Sequence, residues 1–151
     1  MNLYEFEGKK MFQDVGISVP KGVDIIRGQD FSSAYSDPGV QEAVVKAQVL
    51  SGKRGKNNAI RFCSSEEEVA KAIQDLFNMD VRGQYVHAVR VEEKLDIAEE
   101  HYLSITYDTN KKQPVLVYSA EGGVDIEEVS EEKIKKIHLD IAAENLPENI
   151  D

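Results

Sequence analysis

The sequence predicts an α/β (α+β) fold, because strand-like and helix-like patterns are mixed along its 151 residues. Three observations support this prediction. Residues 43–50 alternate like a strand, residues 65–77 have the spacing of an amphipathic helix, and β-rich stretches fill much of residues 85–118. With 41% hydrophobic and 30% charged residues, the composition is that of an ordinary globular domain.

The chain is predicted to begin with a helix and a short strand. Residues 2–15 have apolar side chains at helical spacing, Asn2 is a suitable N-cap, and Gly16 follows the last turn. An apolar run at residues 23–26 indicates a strand, and residues 37–39 give a turn signal. Neither element contributes a residue to the predicted chemistry.

The next predicted strand, residues 43–50, contains an unusual lysine. Alternation assigns three apolar residues to one face: Val45, Ala47 and Val49. Lys46 shares the other face with apolar neighbours, so its amine must either reach solvent or meet a fixed anion. Residues 51–58 are predicted to be a loop, and residues 59–62 a returning strand.

A second helix is predicted with a clear start and a clear apolar face. Ser65 and Glu68 match the Ser-x-x-Glu capping box. Five apolar residues then fall on one helical face: Val69, Ala72, Ile73, Leu76 and Phe77.

The rest of the chain is predicted to be mostly β-structure. Strands are expected at residues 85–93, 101–108 and 114–118, with residues 110–113 as the hairpin turn between the last two. A run at residues 124–129 comes next, followed by a short charged helix at residues 131–137. No internal repeat is apparent.

Charge and composition exclude several classes of function. The net charge of −10 repels phosphate backbones, so the sequence predicts no nucleic-acid partner, and no apolar run is long enough for a membrane span. The N-terminus has neither a signal core nor an organelle presequence, which predicts a cytoplasmic protein. The single cysteine, Cys63, cannot form an internal disulfide.

One basic segment stands out in this acidic chain. Residues 44–61 contain five cations and no carboxylate: Lys46, Lys53, Arg54, Lys56 and Arg61. Gly52 and Gly55 would let backbone N–H groups approach an anion, so the segment is predicted to bind phosphate. The alternative is a solvated hairpin that balances nearby carboxylates. The segment matches neither a Walker A motif nor a G-x-G-x-x-G fingerprint.

Acidic residues near position 125 offer a second, weaker candidate. Glu121, Asp125, Glu127 and Glu128 could be read as an acid/base pair or a metal cluster, with Asp125 and Glu127 on one side of a strand. A structural role is the preferred interpretation. The three histidines are scattered, and none is predicted to be catalytic.

Four ordered motifs resemble the succinyl-CoA synthetase β-subunit family: MNLYEFEGKKMF with VGISVPKG, VVKAQVLSGKRGK, VEEKLDIAEEHYLSITYD, and SAEGGVDIEEVSEEKIKKI. The resemblance covers residues 1–140. It implies the N-terminal part of an ATP-grasp fold, with mixed or antiparallel sheets flanked by helices. Residues 21–100 would be a smaller nucleotide-binding lobe, residues 1–20 a helix packing with the lobe of residues 101–140, and residues 141–151 a tail.

The resemblance also implies a nucleotide-binding set. Lys46 would bind the phosphates of ATP, and Lys53, Arg54 and Gly55 would lie over them as a flap. Glu92 and Leu95 would contact the adenine and its linker, and Glu100 the ribose. The sequence departs from the family pattern at Lys53 and at Asn57-Asn58, which leaves the acid substrate open, with ATP-citrate lyase as a related possibility.

The function implied by the resemblance is ADP-forming acid–CoA ligation in the tricarboxylic acid cycle, with ATP as the nucleotide. A partner α subunit would carry CoA and a transiently phosphorylated histidine. Magnesium would be held by ligands in a later part of the subunit, so this chain is expected to be a front portion or truncated product that is inactive alone. The alternatives are a non-catalytic nucleotide-sensing or assembly module, a fragment of another acid–CoA ligase, and a plain acidic domain with a basic turn.

Overall fold

The structure, a computed structural model, describes residues 2–36, 38–39, 41–51, 54–55 and 57–143. The chain divides into two compact units, Met1–Leu95 and Asp96–Asp151. The first unit contains α1 (Glu5–Asp14), β1 (Gly22–Ile26), β2 (Ala43–Gln48), β3 (Ile60–Cys63), α2 (Glu66–Phe77), β4 (Asp80–Val81), β5 (Gln84–Tyr85) and β6 (Ala88–Glu93). The second contains β7 (Tyr102–Asp108), β8 (Gln113–Ser119) and β9 (Lys135–His138). The predicted α+β class is confirmed.

A four-stranded antiparallel sheet forms the centre of the first unit, in the order β1-β6-β2-β3. Val45 lies opposite Val91 in the register of β2 and β6, and Lys46 lies opposite Arg90. Because side chains alternate along each strand, one face of the sheet is apolar and the other carries charged residues. The predicted alternation of β2 is confirmed.

Helix α2 covers the apolar face. All five predicted residues are buried in the core with the valines of β2 and β6: Val69, Ala72, Ile73, Leu76 and Phe77. The Ser65 hydroxyl accepts a hydrogen bond from the backbone N–H of Glu68, as predicted. The Glu68 carboxylate accepts from Ser64 instead of from Ser65, so the reciprocal half of the capping box is displaced by one residue.

Helix α1 begins later than predicted. Its N-cap is Tyr4, whose backbone N–H donates to the Glu7 carboxylate at 2.8 Å, so the prediction of Asn2 as the cap was wrong. The predicted end is confirmed: Gly16 has a φ of +82°, and Ile17 N–H donates to the Phe12 carbonyl at 2.8 Å. No residue of α1 is buried.

The predicted strand at residues 85–93 is interrupted. β5 and β6 are separated at Val86 and His87, where the side chain of Arg27 donates to the Val86 carbonyl and its backbone N–H donates to the His87 carbonyl. Val86 is itself fully buried in the core. The break lets the Val86 side chain enter the core, while the backbone carbonyl of Val86 accepts a hydrogen bond from Arg27.

The second unit is a three-stranded antiparallel sheet in the order β7-β8-β9. The predicted β7–β8 hairpin is confirmed, with Tyr102 opposite Ser119. The predicted helix at residues 131–137 was wrong: a 3-10 turn at Glu131–Lys133 leads into β9, which pairs with β8. Pairing with a neighbouring strand satisfies this backbone, and so short a helix would gain little from propensity alone.

Helix α1 is part of the first unit, where its side chains contact β2 and β6. The expected packing of residues 1–20 with the lobe of residues 101–140 stays a prediction. In the segment before β9, residues 126–128 form a 3-10 turn. Within the described residues, no helix is long and apolar enough to cross a membrane.

Candidate functional site

The charged face of the central sheet carries the candidate site. Lys46 on β2 lies opposite Arg90 of β6, and Glu92, two residues further along β6, projects from the same face as Arg90 because residues two apart on a strand share a face. Glu92 is 1% exposed, whereas the side chain of Lys46 is 23% exposed. The site therefore pairs a buried carboxylate, that of Glu92, with a lysine amine that is partly exposed to solvent.

The buried carboxylate of Glu92 is neutralised by three cations. It forms ion pairs with Lys46 and with Lys9 of α1, and Arg90 Nε donates to it at 2.7 Å. Burial alone would raise the pKa of Glu92, but the hydrogen bonds from Lys46, Lys9 and Arg90 lower it below its usual value. Glu92 thus stays ionised and orients the Lys46 amine, which meets a fixed anion.

Arg90 ties this arrangement to the edge of the sheet. Its guanidinium donates to Asp24 of β1 at 2.8 Å and to the Pro20 carbonyl at 3.0 Å, as well as to Glu92. Burial alone would lower the pKa of Arg90, but the hydrogen bonds to Asp24 and Glu92 raise it. Arg90 is therefore a permanent charge that holds Glu92 in one orientation.

A second carboxylate, that of Glu5 on α1, contacts three cations of the site. It lies 3.4 Å from Lys46 Nζ, 2.6 Å from a terminal nitrogen of Arg54, and 3.0 Å from Lys9 Nζ. Burial alone would raise the pKa of Glu5, but Arg54, Lys46 and Lys9 lower it to about 2. Glu5 is therefore an anion at neutral pH, in direct contact with two predicted phosphate ligands.

The described part of the basic loop forms a turn that directs Arg54 to the site. The Arg54 carbonyl accepts from Ala59 N–H at 2.9 Å, and Asn58 takes a positive φ of 54°. The Arg54 side chain donates to the Ala47 carbonyl at 3.1 Å. A Cβ at Gly55 would meet no atom within 4 Å. Lys53, the remaining predicted flap residue, lies outside the described residues, as do Gly52 and Lys56.

Two predicted site residues lie outside this cluster. Leu95 ends the first unit with its side chain exposed, and Glu100 is part of the second unit. Within that unit, Gly122 N–H donates to the Glu100 carbonyl at 2.9 Å. A side chain at Gly123, which has a φ of +71°, would collide with the Glu100 carboxylate. A Cβ at Gly122 would also collide with the backbone of Glu100 and His101, so the close approach of this backbone requires glycine at position 122, and the positive φ favours glycine at position 123.

The acidic segment around position 125 has a structural explanation. Glu121 forms an ion pair with Lys133, and residues 126–128 turn as a 3-10 helix, so Asp125 and Glu127 do not share one side of a strand. In the part of the chain that the structure describes, no group of three or more His, Cys, Asp or Glu residues could hold a metal ion. His138 pairs with Asp108 at the edge of the second sheet.

Sequence reasoning missed three members of the cluster: Glu5, Lys9 and Arg90. A local signal existed for each. Glu5 and Lys9 are four apart on a helix, a spacing that places them side by side, and Arg90 alternates with valines in the run AVRVEE. What no local pattern could indicate is that α1 docks on β2 and β6. The site thus has two partly exposed cations, Lys46 and Arg54, that could bind an anion. Among the described residues of the site there is no nucleophilic side chain in a catalytic arrangement.

Comparisons with known proteins agree with the motifs. A family model described as the ATP-grasp domain matches residues 2–150. The chain is 45% identical over 150 residues to the succinate–CoA ligase [ADP-forming] subunit beta of Methanocaldococcus jannaschii and 41% identical to that of Methanothermobacter thermautotrophicus. Each match covers 97% of this chain and 40% of the relative, so the chain spans about 40% of the length of these relatives.

A solved structure shares the fold at lower sequence identity. The ATP citrate lyase from Methanothrix soehngenii, in complex with citrate and coenzyme A, superimposes with a TM-score of 0.71. The identity is 19%, and the match covers 93% of this chain and 35% of that one. The likeness concerns the fold, whereas the resemblance inferred from the four motifs is confirmed by the closer sequence relatives.

Proposed function

The chain belongs to the ATP-grasp family, and from this premise we propose that it is the ATP-binding part of an ADP-forming acid–CoA ligase of the succinate–CoA ligase β-subunit type. The observation that carries the proposal is the convergence of Lys46 and Arg54 beside one carboxylate, with the Lys46 amine oriented by buried Glu92. Sequence identity to β subunits over nearly the whole chain supports the choice of ligase.

The phosphates of ATP are proposed to lie against the basic segment. Lys46 and Arg54 supply charge from a strand and a turn, and the backbone of Gly55 can approach an oxygen closely because no side chain intervenes. Lys53 would add a further cation from the same loop. Catalysis of phosphoryl transfer depends mainly on positioning and on neutralising the charge of the transferred group, and these residues provide both.

The base and ribose are assigned to the motif that begins at Val91 near the end of β6. Main-chain groups around Glu92 and Leu95 would read the adenine, and the Glu100 carboxylate would accept from the ribose hydroxyls. The Glu92 side chain is already ion-paired with three cations. Its contribution to ATP binding therefore passes through Lys46, which makes Glu92 a positioning residue for the phosphates.

The remaining parts of the reaction are proposed to lie in other polypeptide. An α subunit would carry CoA and the histidine that receives phosphate, and Mg²⁺ would shield the charge of the triphosphate. The resemblance assigns the ligands of that ion to a later part of the subunit, within the portion that the relatives have beyond this match. A cytoplasmic location remains a prediction from the sequence. By this proposal the 151-residue chain binds ATP weakly and turns over no substrate alone.

Titration of ATP with single-site variants tests the nucleotide site. We expect Lys46→Ala and Arg54→Ala each to weaken ATP binding by about 10-fold or more, because each removes a charge-assisted contact worth about 1.5–3 kcal/mol. The measurement is the dissociation constant by calorimetry, with and without Mg²⁺. Lys71→Ala is the matched control, since this lysine is exposed on α2, which covers the other face of the sheet, and the variant should bind ATP like the wild type.

The same titration separates the rival proposal, a non-catalytic nucleotide-sensing or assembly module. One observation favours that rival: the described cations of the site are already paired with carboxylates. Circular dichroism first verifies that each variant is folded. If folded Lys46→Ala and Arg54→Ala bind ATP as tightly as the Lys71→Ala control, the proposed ATP site is wrong and an assembly role takes its place.

A further inference from the structure

We propose that Glu5 is a built-in placeholder for the phosphate chain: its carboxylate occupies Lys46 and Arg54 in the free protein, and a polyphosphate displaces it and loosens α1. This inference rests on the proposed ATP site and adds a regulatory step to it. It gives the N-terminal helix a role in the nucleotide cycle, which neither the motifs nor the family relationship assigns to it.

The contacts of Glu5 are those that a phosphate would need. Its two carboxylate oxygens lie 3.4 Å from Lys46 Nζ and 2.6 Å from the Arg54 guanidinium. Lysine and arginine attract carboxylate and phosphate alike, and Glu5 reaches Arg54 through one terminal nitrogen of the guanidinium. Since the Glu5 carboxyl has a pKa of about 2, it competes as an anion throughout the physiological range.

Of the two carboxylates in the cluster, Glu5 is the one that can move. Glu92 is buried and held by cations from three elements, including Arg90 beside it on β6. The Glu5 side chain is 20% exposed and belongs to a helix that buries no residue. An incoming anion therefore displaces Glu5, and Glu92 keeps the Lys46 amine in position.

Displacing Glu5 also affects how α1 is held. The described contacts of α1 with the sheet are polar: the Glu5 ion pairs, the Lys9–Glu92 pair, and a hydrogen bond of 3.2 Å from Phe6 N–H to the Gln48 side chain. Losing the Glu5 contacts removes the link from α1 to Arg54, the basic-loop cation whose position the structure describes. ATP binding and α1 docking are then coupled with negative sign.

Hydrogen exchange and affinity together test this coupling. On saturation with ATP, or with inorganic tripolyphosphate, we expect the α1 amides to exchange several-fold faster, while α2 is unchanged. We expect Glu5→Gln to bind ATP about 5- to 20-fold more tightly than the wild type, within the usual range of coupling between sites. Glu7→Gln removes a charge from the same helical turn, keeps a capping amide oxygen, and should leave the affinity unchanged.

The contrary results are distinct. If Glu5→Gln binds ATP no more tightly than Glu7→Gln, or if ATP protects the α1 amides, then Glu5 positions the cations instead of competing with the ligand and the placeholder is wrong. In that case the ATP site stands as long as Lys46→Ala still weakens binding. If the wild-type chain shows no saturable ATP binding, the proposed function fails, and the placeholder fails with it.

Discussion

The two helices of the first unit contact opposite faces of the same sheet, and they do so by different physical means. Helix α2 buries five apolar side chains against the valines of β2 and β6. Helix α1 buries none and is joined to the other face by Glu5, Lys9 and a backbone hydrogen bond. One alternating strand, β2, therefore supports a permanent core on one side and an adjustable ionic contact on the other.

The energetic difference between these contacts is large. Full burial of a valine, leucine or phenylalanine side chain contributes about 1.5–3 kcal/mol. A partly exposed ion pair contributes about 0–1 kcal/mol, since side-chain entropy and screening offset most of its Coulomb attraction. The buried Glu92 belongs to neither class, because its pairs compensate a desolvation penalty instead of adding stability. We therefore expect α2 to melt with the sheet and α1 to detach before it.

Truncating one side chain in each helix gives the largest expected contrast. Ile73→Ala in α2 should lower the free energy of unfolding by about 2–5 kcal/mol, because it leaves a cavity at a fully buried position. Met11→Ala in α1 removes a side chain that is 53% exposed and should change that free energy by less than about 0.5 kcal/mol. Urea denaturation followed by circular dichroism measures both. A loss for Met11→Ala comparable with that for Ile73→Ala would contradict the comparison.

Acid should release α1 before it affects the core. A carboxyl whose pKa is depressed in the folded protein stabilises it above the unfolded pKa, and that contribution disappears as the pH falls through the folded value. For Glu5 the window runs from 4.5 down to about 2, and its contribution is at most about 3 kcal/mol. The expected result is loss of amide protection in α1 between these limits, measured by NMR.

The acid experiment has an internal comparison and a variant control. Glu68, at the start of α2, also has a lowered pKa because Ser64 donates hydrogen bonds to it, but the five apolar contacts of α2 do not titrate. Glu5→Gln should reduce the pH dependence of α1 protection and leave that of α2 unchanged. Simultaneous loss of protection in both helices would show that the ionic contacts do not define a separate unit of stability.

Salt should produce the smallest effect of the series. At 1 M ionic strength the Debye length is about 3 Å, which weakens the partly exposed Glu5 pairs but not apolar packing. We expect 1 M KCl to speed amide exchange in α1 by about two- to threefold, an effect of the size that exposed ion pairs contribute. Exchange in α2 should not accelerate, and a uniform response of both helices would remove the distinction.

Much of the fold was predictable because its signals are local. The capping serine and apolar spacing of α2, the alternation of β2, and the β7–β8 hairpin were all correctly predicted from short windows. The errors fall where a short stretch of sequence is compatible with both a helix and a strand. The charged run at residues 131–137 was read as a helix, yet its last three residues pair with β8 as part of the edge strand β9.

The candidate site was predictable only in part. The basic segment singled out Lys46 and Arg54, and the structure brings them together beside Glu5. The resemblance identified Glu92, but as a contact to the base, and its place beneath the lysine depends on the β2–β6 register. Lys53 lies outside the described residues, and the ligand contacts assigned to Leu95 and Glu100 remain predictions.

By itself, the amino-acid sequence determined the α+β class, the apolar face of β2, the α2 helix and the excess of cations after β2, because each depends on residues close together in the chain. Only the tertiary structure determined which carboxylates form ion pairs with Lys46 and Arg54. Glu92 and Glu5 reach Lys46 from 46 and 41 residues away. A charge pattern carries no information on such distant partners, since strand register and helix docking select them.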